Sequence, residues 1–547
     1  MNVSTKKILL AIGLGLVVAP AMAQLPHGWH LMDKETESYY GISLKKAYQF
    51  VQDKKQKSNT VIVAIIDSGV DTLHEDLKPI LWINKKEIPG NGIDDDGNGY
   101  IDDIYGWNFL GSKDGKNVDK DSFEADRMYL ADKTRFEKID PKNLSAADRK
   151  IYNEWLRAKD QDKNGPAVQQ VRMILNDVKK SDVMLKKELG KEKFTMKDLT
   201  ALPKTNKNAA ILLTYMKSMV GTKENPDFTN EELIAQMDKR FDYFVTESAK
   251  ARLSGPDPAT FRANIVKDNY NDINDRYYGN GDVMTSLTGA MHGTHVAGII
   301  GAVRNNGLGM DGVADNVQIM MIRAVPDGDE HDKDIALAIR YAVDNGARII
   351  NMSFGKAFSP QKIWVDDAVK YAESKNVLLV HAAGNNGENT DQFDNYPTPV
   401  FENHKKAGNW ISVGASSDPT TSDKSSMASF SNYGKKTVDV FAPGVQIYSS
   451  VPGGNVYKNL DGTSMATPVV SGLAAFLLEY YPNLTAKQLK QVIEKSAINP
   501  HVKAKKPHTD EYVDLADLSM TGGLVNAYEA VKMADTMKGA AKKSNSK

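Results

Sequence analysis

Short runs rich in Val, Ile and Leu, spaced by helix-length stretches, constrain this chain more than any other feature. "VIVAII" (61–66) is apolar at every position, the pattern of a strand covered on both faces in a parallel sheet. Runs of similar make-up return at 317–325 ("VQIMMIRAV"), 347–354 ("ARIINMSF"), 376–383 ("NVLLVHAA") and 410–415 ("WISVGA"). Helical patterns such as "DKDIALAIRYAVDNG" (332–346) and "WVDDAVKYAESKN" (364–376) separate several of them. Strand–helix alternation of this kind predicts an α/β fold with a doubly wound, mostly parallel sheet.

Residues 110–285 break the rhythm. Stretches such as "DVMLKKELGKEKFTMKDLT" and "EELIAQMDKRFDYFVTESAKARL" are charged and helix-prone with scattered apolar positions. They predict a largely helical insertion into a discontinuous domain made of 24–109 and 286–530. Residues 531–547, ending in "KGAAKKSNSK", read as a frayed basic tail.

Composition removes whole classes of function. Lys+Arg 69 against Asp+Glu 70 gives a formal charge of −1, so nothing draws the chain globally to nucleic acid or an anionic membrane. With no cysteine, there is no disulfide, no thiolate metal site, no cysteine nucleophile and no lipidated cysteine. At the N-terminus, Lys6 and Lys7 precede an apolar run that ends in Ala21-Met22-Ala23. Residues 1–23 therefore have the layout of a cleavable secretory signal, and the mature chain is expected to be exported, periplasmic or secreted. No later segment reaches spanning length.

Three polar residues stand where chemistry is possible. Asp67 closes the 61–66 run, and ligands of open α/β sheets bind beyond the carboxyl ends of strands. His292 opens the helical pattern "HGTHVAGIIGAV"; His295 follows it, but the glutamate and i,i+4 spacing of a zinc-binding H-E-x-x-H are absent. Ser464 sits in "DGTSMATPVV" (461–470), where an apolar helix begins. A serine hydroxyl needs an imidazole to accept its proton, and the imidazole needs a carboxylate to fix its tautomer and stabilise its cation. At a helix N-terminus the Ser464 N–H and the helix dipole both favour an oxyanion forming beside the hydroxyl. Gly462 leaves that space open, and Pro468 is expected in the first turn, where its missing N–H does little harm.

Asp, His and Ser in this order, carried by "IIDSGVD" (65–71), "HGTHVAG" (292–298) and "DGTSMATP" (461–468), resemble the subtilases, the subtilisin-type serine proteases. The resemblance spans roughly 60–109 and 286–530. It implies a subtilisin-like fold and peptide-bond hydrolysis, with Asp67 as orienting acid, His292 as general base and acid, and Ser464 as nucleophile. "HAAGNNG" (381–387) resembles the oxyanion segment, which makes Asn385 the side-chain donor. "INMSFG" (350–355) resembles the strand that pairs with substrate backbone, placing Ser353, Phe354 and Gly355 beside the primary specificity pocket. Two departures stand out. Asp67 and His292 are 225 positions apart, far more than in compact subtilases. The stretch from Gln24 to Asp67 is too short for the usual N-terminal folding prodomain, so the insertion is the candidate for controlling latency. The leading expectation is a serine endopeptidase acting on polypeptides. Giant tripeptidyl peptidases of the family also carry an insertion here, which keeps an exopeptidase as an alternative, and a catalytically silent binding protein on the same fold is another.

A second constellation is "DDDGNGYID" (94–102). Asp94, Asp96, Asn98 and Asp102, with the Tyr100 carbonyl, match the first half of an acidic Ca²⁺ loop, and Gly99 permits its bend. Tyr105 stands where an EF-hand would have its glutamate, so this is not an EF-hand. Such carboxylate density repels itself without a cation, and a structural Ca²⁺ is expected. Asp76 and Asn306 resemble a further family calcium pair, with Arg304 beside it.

Overall fold

The computed structural model describes residues 25–160, 166–220, 225–253, 259–421 and 424–544. The signal segment 1–23 lies outside the described residues. By contact the chain divides into two compact units, one built from 128–256 and the other from 22–127 and 257–547.

The larger unit holds a seven-stranded sheet in the order β2-β3-β1-β4-β5-β6-β7, with every adjacent pair parallel. The strands are β1 (Val61–Asp67), β2 (Gly106–Asn108), β3 (Val317–Arg323), β4 (Ile349–Met352), β5 (Leu378–Ala382), β6 (Trp410–Ser416) and β7 (Val440–Pro443). Side chains alternate between the faces, so one strand serves two cores. Val63 and Ile65 of β1 pack with the helices Met291–Gly301 and Thr463–Tyr480, whereas Ala64 and Ile66 pack with Asp332–Asp344 and Lys362–Ser374. Burial on both faces is the reason the β1 run has no polar position until Asp67. At its carboxyl end β1 lies between β3 and β4, so the strand order reverses around it. That reversal opens a crevice at the Asp67 end.

The smaller unit is helical, with Ala146–Asp160, Pro166–Leu189, Lys207–Val220 and Asn230–Leu253 as its longer members. It has its own core of Val178, Leu185, Phe194, Leu199, Leu212, Met216 and Leu233. Thr195 and Asp198 close a reciprocal capping box, and Asn230, fully buried, donates to Asp182 and accepts from Phe194 N. Residues on either side of this unit are built into the larger one: Asn108 N donates to Asn280 O and Asn280 N to Asn108 O. The helix Ala527–Ser544 carries most of the stretch expected as a frayed tail.

Candidate active site

Asp67 is buried at the end of β1, and its Oδ1 accepts from His292 Nδ1 at 2.8 Å and from Ser68 N at 2.7 Å. His292 lies in the first turn of its helix, and Gly293 lets the two elements approach. A methyl group on Gly293 would lie 2.2 Å from Gly69 O. With Nδ1 committed to the carboxylate, Nε2 is the nitrogen left to handle a proton. The imidazole side chain is 36 % exposed, so that edge reaches solvent. Burial disfavours the imidazolium, but the Asp67 charge and its hydrogen bond outweigh this and raise the His292 pKa above the ordinary 6.5.

Ser464 is the second residue of the helix Thr463–Tyr480, and its Oγ donates to Ser353 O at 3.0 Å. The helix is tied to the histidine's helix through a hairpin of β8 (Ile447–Val451) and β9 (Val456–Leu460). Ser450 Oγ donates to Thr294 O, Ser449 Oγ donates to His295 O, and His295 Nε2 meets Lys458 O. β9 then runs through Asp461 and Gly462 into the serine. His295 is thus a packing residue between its helix and the hairpin.

Pro468 is not in the first turn, as expected from sequence, but is the sixth residue of the helix. A proline there deprives the Ser464 carbonyl of its i→i+4 donor. Ser353 Oγ supplies the replacement, donating to Ser464 O at 3.0 Å. Ser353 is held in turn by Asn351 Nδ2, and Asn351 Oδ1 accepts from Ser471 Oγ. Ser353 therefore satisfies the Ser464 backbone through its hydroxyl and holds the Ser464 hydroxyl through its carbonyl.

Asn385 Oδ1 accepts from Thr463 N at 2.8 Å and from Thr463 Oγ1 at 2.9 Å. This turns Nδ2 the other way. A methyl group on Gly462 would lie 3.5 Å from Ser464 N, 3.6 Å from Met465 Sδ and 3.7 Å from Asn385 Nδ2. Ser464 N, Asn385 Nδ2 and the Met465 sulfur thus border the space that glycine keeps empty. Thr463 and Asn432, which brackets the Asn385 turn, were not singled out from sequence. Thr463 stood inside the Ser464 motif and could have been found there; Asn432 carried no such signal. Phe354 packs edge-on to His381, and Gly355 lies against the Asn395 amide.

The acidic loop is assembled differently from its sequence pattern. Carboxylate oxygens of Glu87, Asp94 and Asp96 lie within 4.8 Å of one another. Asp94 accepts from Asn98 N and Gly99 N, and Glu87 from Asp96 N and Asp102 N. Asp102, at φ 54°, turns its carboxylate to Gly90 N and Gly92 N instead. The Asn98 amide bonds Asp103 Oδ2 and Tyr100 N, and the Tyr100 ring packs on Trp107 and Tyr341. The sequence pattern missed Glu87 because it lies outside the Asp/Gly run. At the other site, both Asp76 oxygens are taken, by Asn306 Nδ2 and the Tyr457 hydroxyl.

A carboxylate–imidazole pair and a serine at a helix head thus stand at the carboxyl ends of neighbouring strands of a parallel sheet. The chain belongs to the subtilase family, whose model matches residues 58–523. It is 42 % identical over 207 residues to a thermophilic serine proteinase of Bacillus sp. (strain AK1), covering 38 % of this chain and 46 % of that protein. To thermitase of Thermoactinomyces vulgaris it is 35 % identical over 272 residues, covering 49 % of this chain and 85 % of thermitase. A solved protease structure from Pseudoalteromonas arctica is similar at 19 % identity over 92 % of this chain and 96 % of that one, with a TM-score of 0.44. The chain thus spans less than half the length of the first of these relatives.

Proposed function

We propose that this protein is an exported serine endopeptidase that hydrolyses peptide bonds through an acyl-enzyme. The observation that carries the reading is the buried Asp67 carboxylate at the end of β1 bound to His292 Nδ1 at 2.8 Å, with Ser464 Oγ bonded to Ser353 O just past the neighbouring strand β4. The Ser464 hydroxyl leaves Ser353 O, gives its proton to His292 Nε2, and its oxygen bonds to the substrate carbonyl carbon. Asp67 stabilises the imidazolium, while Ser464 N–H and Asn385 Nδ2 donate to the carbonyl oxygen as it becomes an oxyanion. The imidazolium then protonates the departing amine as the C–N bond breaks, and water repeats the steps on the ester. Ser353 O, freed by the hydroxyl, and Gly355 offer backbone to an extended substrate chain, which suits a segment in mid-run. Export is supported by the Lys6–Ala23 pattern, and no helix among the described residues is long and apolar enough to cross a membrane.

An N-terminally blocked, internally quenched peptide tests this. Wild type is expected to cleave it and to be labelled by a fluorophosphonate. Hydrolysis of free-amino tripeptidyl substrates alone would make it an exopeptidase, and absence of labelling would make it a silent binding protein.

The same pair sets the pH profile. The base works as neutral imidazole, and its pKa is raised, so kcat/KM should rise through a midpoint above 6.5. Asp67→Asn should move that midpoint down and cut the rate; a profile unmoved by Asp67→Asn would remove Asp67 from the mechanism. For stability the sign is the reverse. The pair stabilises the fold fully below 6.5, and this is lost as pH rises through the raised folded value.

Glu87, Asp94 and Asp96 fit a structural Ca²⁺, being hard oxygen donors already gathered on a short loop, and we include that ion in the proposal. Bound, it would offset the repulsion between the carboxylates. A cation that binds only the folded loop stabilises by about 2.7 kcal/mol at a hundredfold excess over Kd. Wild type should therefore melt higher in Ca²⁺ than in chelator, and Asp94→Ala/Asp96→Ala should not. Equal melting of wild type in both buffers would reduce the loop to a turn.

A further inference from the structure

The turn 383–388 carries Asn385, and its inner side is held by the buried Asn432. Asn432 Nδ2 donates to Ala383 O at 2.9 Å and its backbone N to Gly384 O at 2.9 Å. Asn432 Oδ1 accepts from Asn386 N at 3.0 Å and from Glu388 N at 2.9 Å. Gly387 N donates to Phe430 O at 2.8 Å. On the outer side, Asn386 O accepts from His508 Nε2 at 2.8 Å.

His508 comes from far along the chain, in the turn joining β10 (Ala504–Lys505) to β11 (Tyr512–Val513). That hairpin is anchored to the body. Ala504 is fully buried with Met427, Phe441 and Leu515, and Lys505 N donates to Ser425 Oγ at 3.0 Å. Its tip is fitted closely to the Asn385 turn. A methyl group on Gly387, at φ +67°, would come within 2.7 Å of His508 Nε2 and 2.9 Å of Pro507 Cβ. Only glycine lets the hairpin come this close.

We propose that His508 is a positioning residue for the oxyanion donor, an assignment that rests on the serine-peptidase reading above. The Asn385 side chain is fixed at its Oδ1 by Thr463, but its backbone rides on the turn. The peptide joining Asn386 to Gly387 sets how that turn is pitched, and it is gripped from both ends: His508 takes its carbonyl and Phe430 its N–H. A donor must be held to within roughly half an ångström to meet an oxyanion well. Losing one grip relaxes the pitch without removing the donor. The cost should fall on the rate and spare ground-state binding, where the oxyanion does not yet exist.

The test is a double-mutant cycle on the full-length protein, with a chromogenic peptide amide and active sites counted by fluorophosphonate. His508→Ala should lower kcat about fivefold with KM unchanged, well short of the ~10²–10³ expected for loss of the donor itself. His508→Gln, which keeps an N–H donor of similar reach, should restore most of the rate. In an Asn385→Ala background, His508→Ala should cost nothing further, because the group it positions is gone. An unchanged kcat in His508→Ala, or the same fivefold loss in both backgrounds, overturns the proposal and leaves the serine mechanism standing. A wild type that neither cleaves the amide nor takes the label removes that mechanism, and the positioning role with it.

Discussion

Ser464→Ala is expected to reduce peptide hydrolysis to background, a loss on the order of 10⁶ in kcat. That magnitude is the one known for removal of subtilisin's own serine, carried here by family membership. In this structure the hydroxyl donates to Ser353 O, and it is only half-buried. Its removal should therefore cost stability no more than about 1 kcal/mol, the net worth of one neutral hydrogen bond. Alanine is also the strongest helix former, which suits the second position of a helix. The backbone that shapes the site is held by other groups: Ser353 Oγ on the Ser464 carbonyl and Asn385 Oδ1 on Thr463 N. The variant should melt close to wild type, bind peptide and refuse the fluorophosphonate. Hydrolysis at the wild-type rate by Ser464→Ala would end the serine mechanism.

The fold was legible wherever one physical demand acted on consecutive residues. β1, β3, β4, β5 and β6 are covered on both faces, so each shows as an apolar run. β2 belongs to the same sheet but spans only Gly106–Asn108, too short for a pattern to emerge, and β7 (Val440–Pro443), though as long as β4, is closed by a proline, which weakens a strand signal. Asp67, His292 and Ser464 were legible because each sits at the end of such an element with a recognisable local motif. The groups that hold them were not, because their partners are remote in sequence: Ser353 with Ser464, Asn432 with 383–388, and His508 with Asn386. Pro468 shows the same limit. From sequence it reads as harmless in a first turn; the structure places it deeper and repairs the lost bond from Ser353, just past β4 and more than a hundred residues upstream. At the acidic loop, composition identified the segment but not which carboxylates meet. Backbone N–H groups draw Asp102 away and bring Glu87 in.

Asn385→Ala should lower kcat by ~10²–10³ while leaving KM nearly unchanged, the range known for the corresponding donor of subtilisin. Its Oδ1 is committed to Thr463 N and Thr463 Oγ1, so Nδ2 faces the space beside Gly462 that Ser464 N also faces. A planar substrate carbonyl does not yet place its oxygen there; a tetrahedral intermediate does. The lost hydrogen bond therefore belongs to the transition state, and the rate falls without a matching loss of binding. Ser464 N–H and the head of the helix remain, so hydrolysis should stay measurable above that of Ser464→Ala. Asn385→Asp is the sharper variant. It keeps the acceptor that Thr463 holds but places a second acceptor and a negative charge where the oxyanion forms, so it should be slower than Asn385→Ala. Steady-state kinetics on a peptide amide decide between the possibilities. An unchanged kcat in Asn385→Ala would assign the oxyanion to another donor. A rise in KM with kcat retained would make Asn385 a binding residue for the ground state.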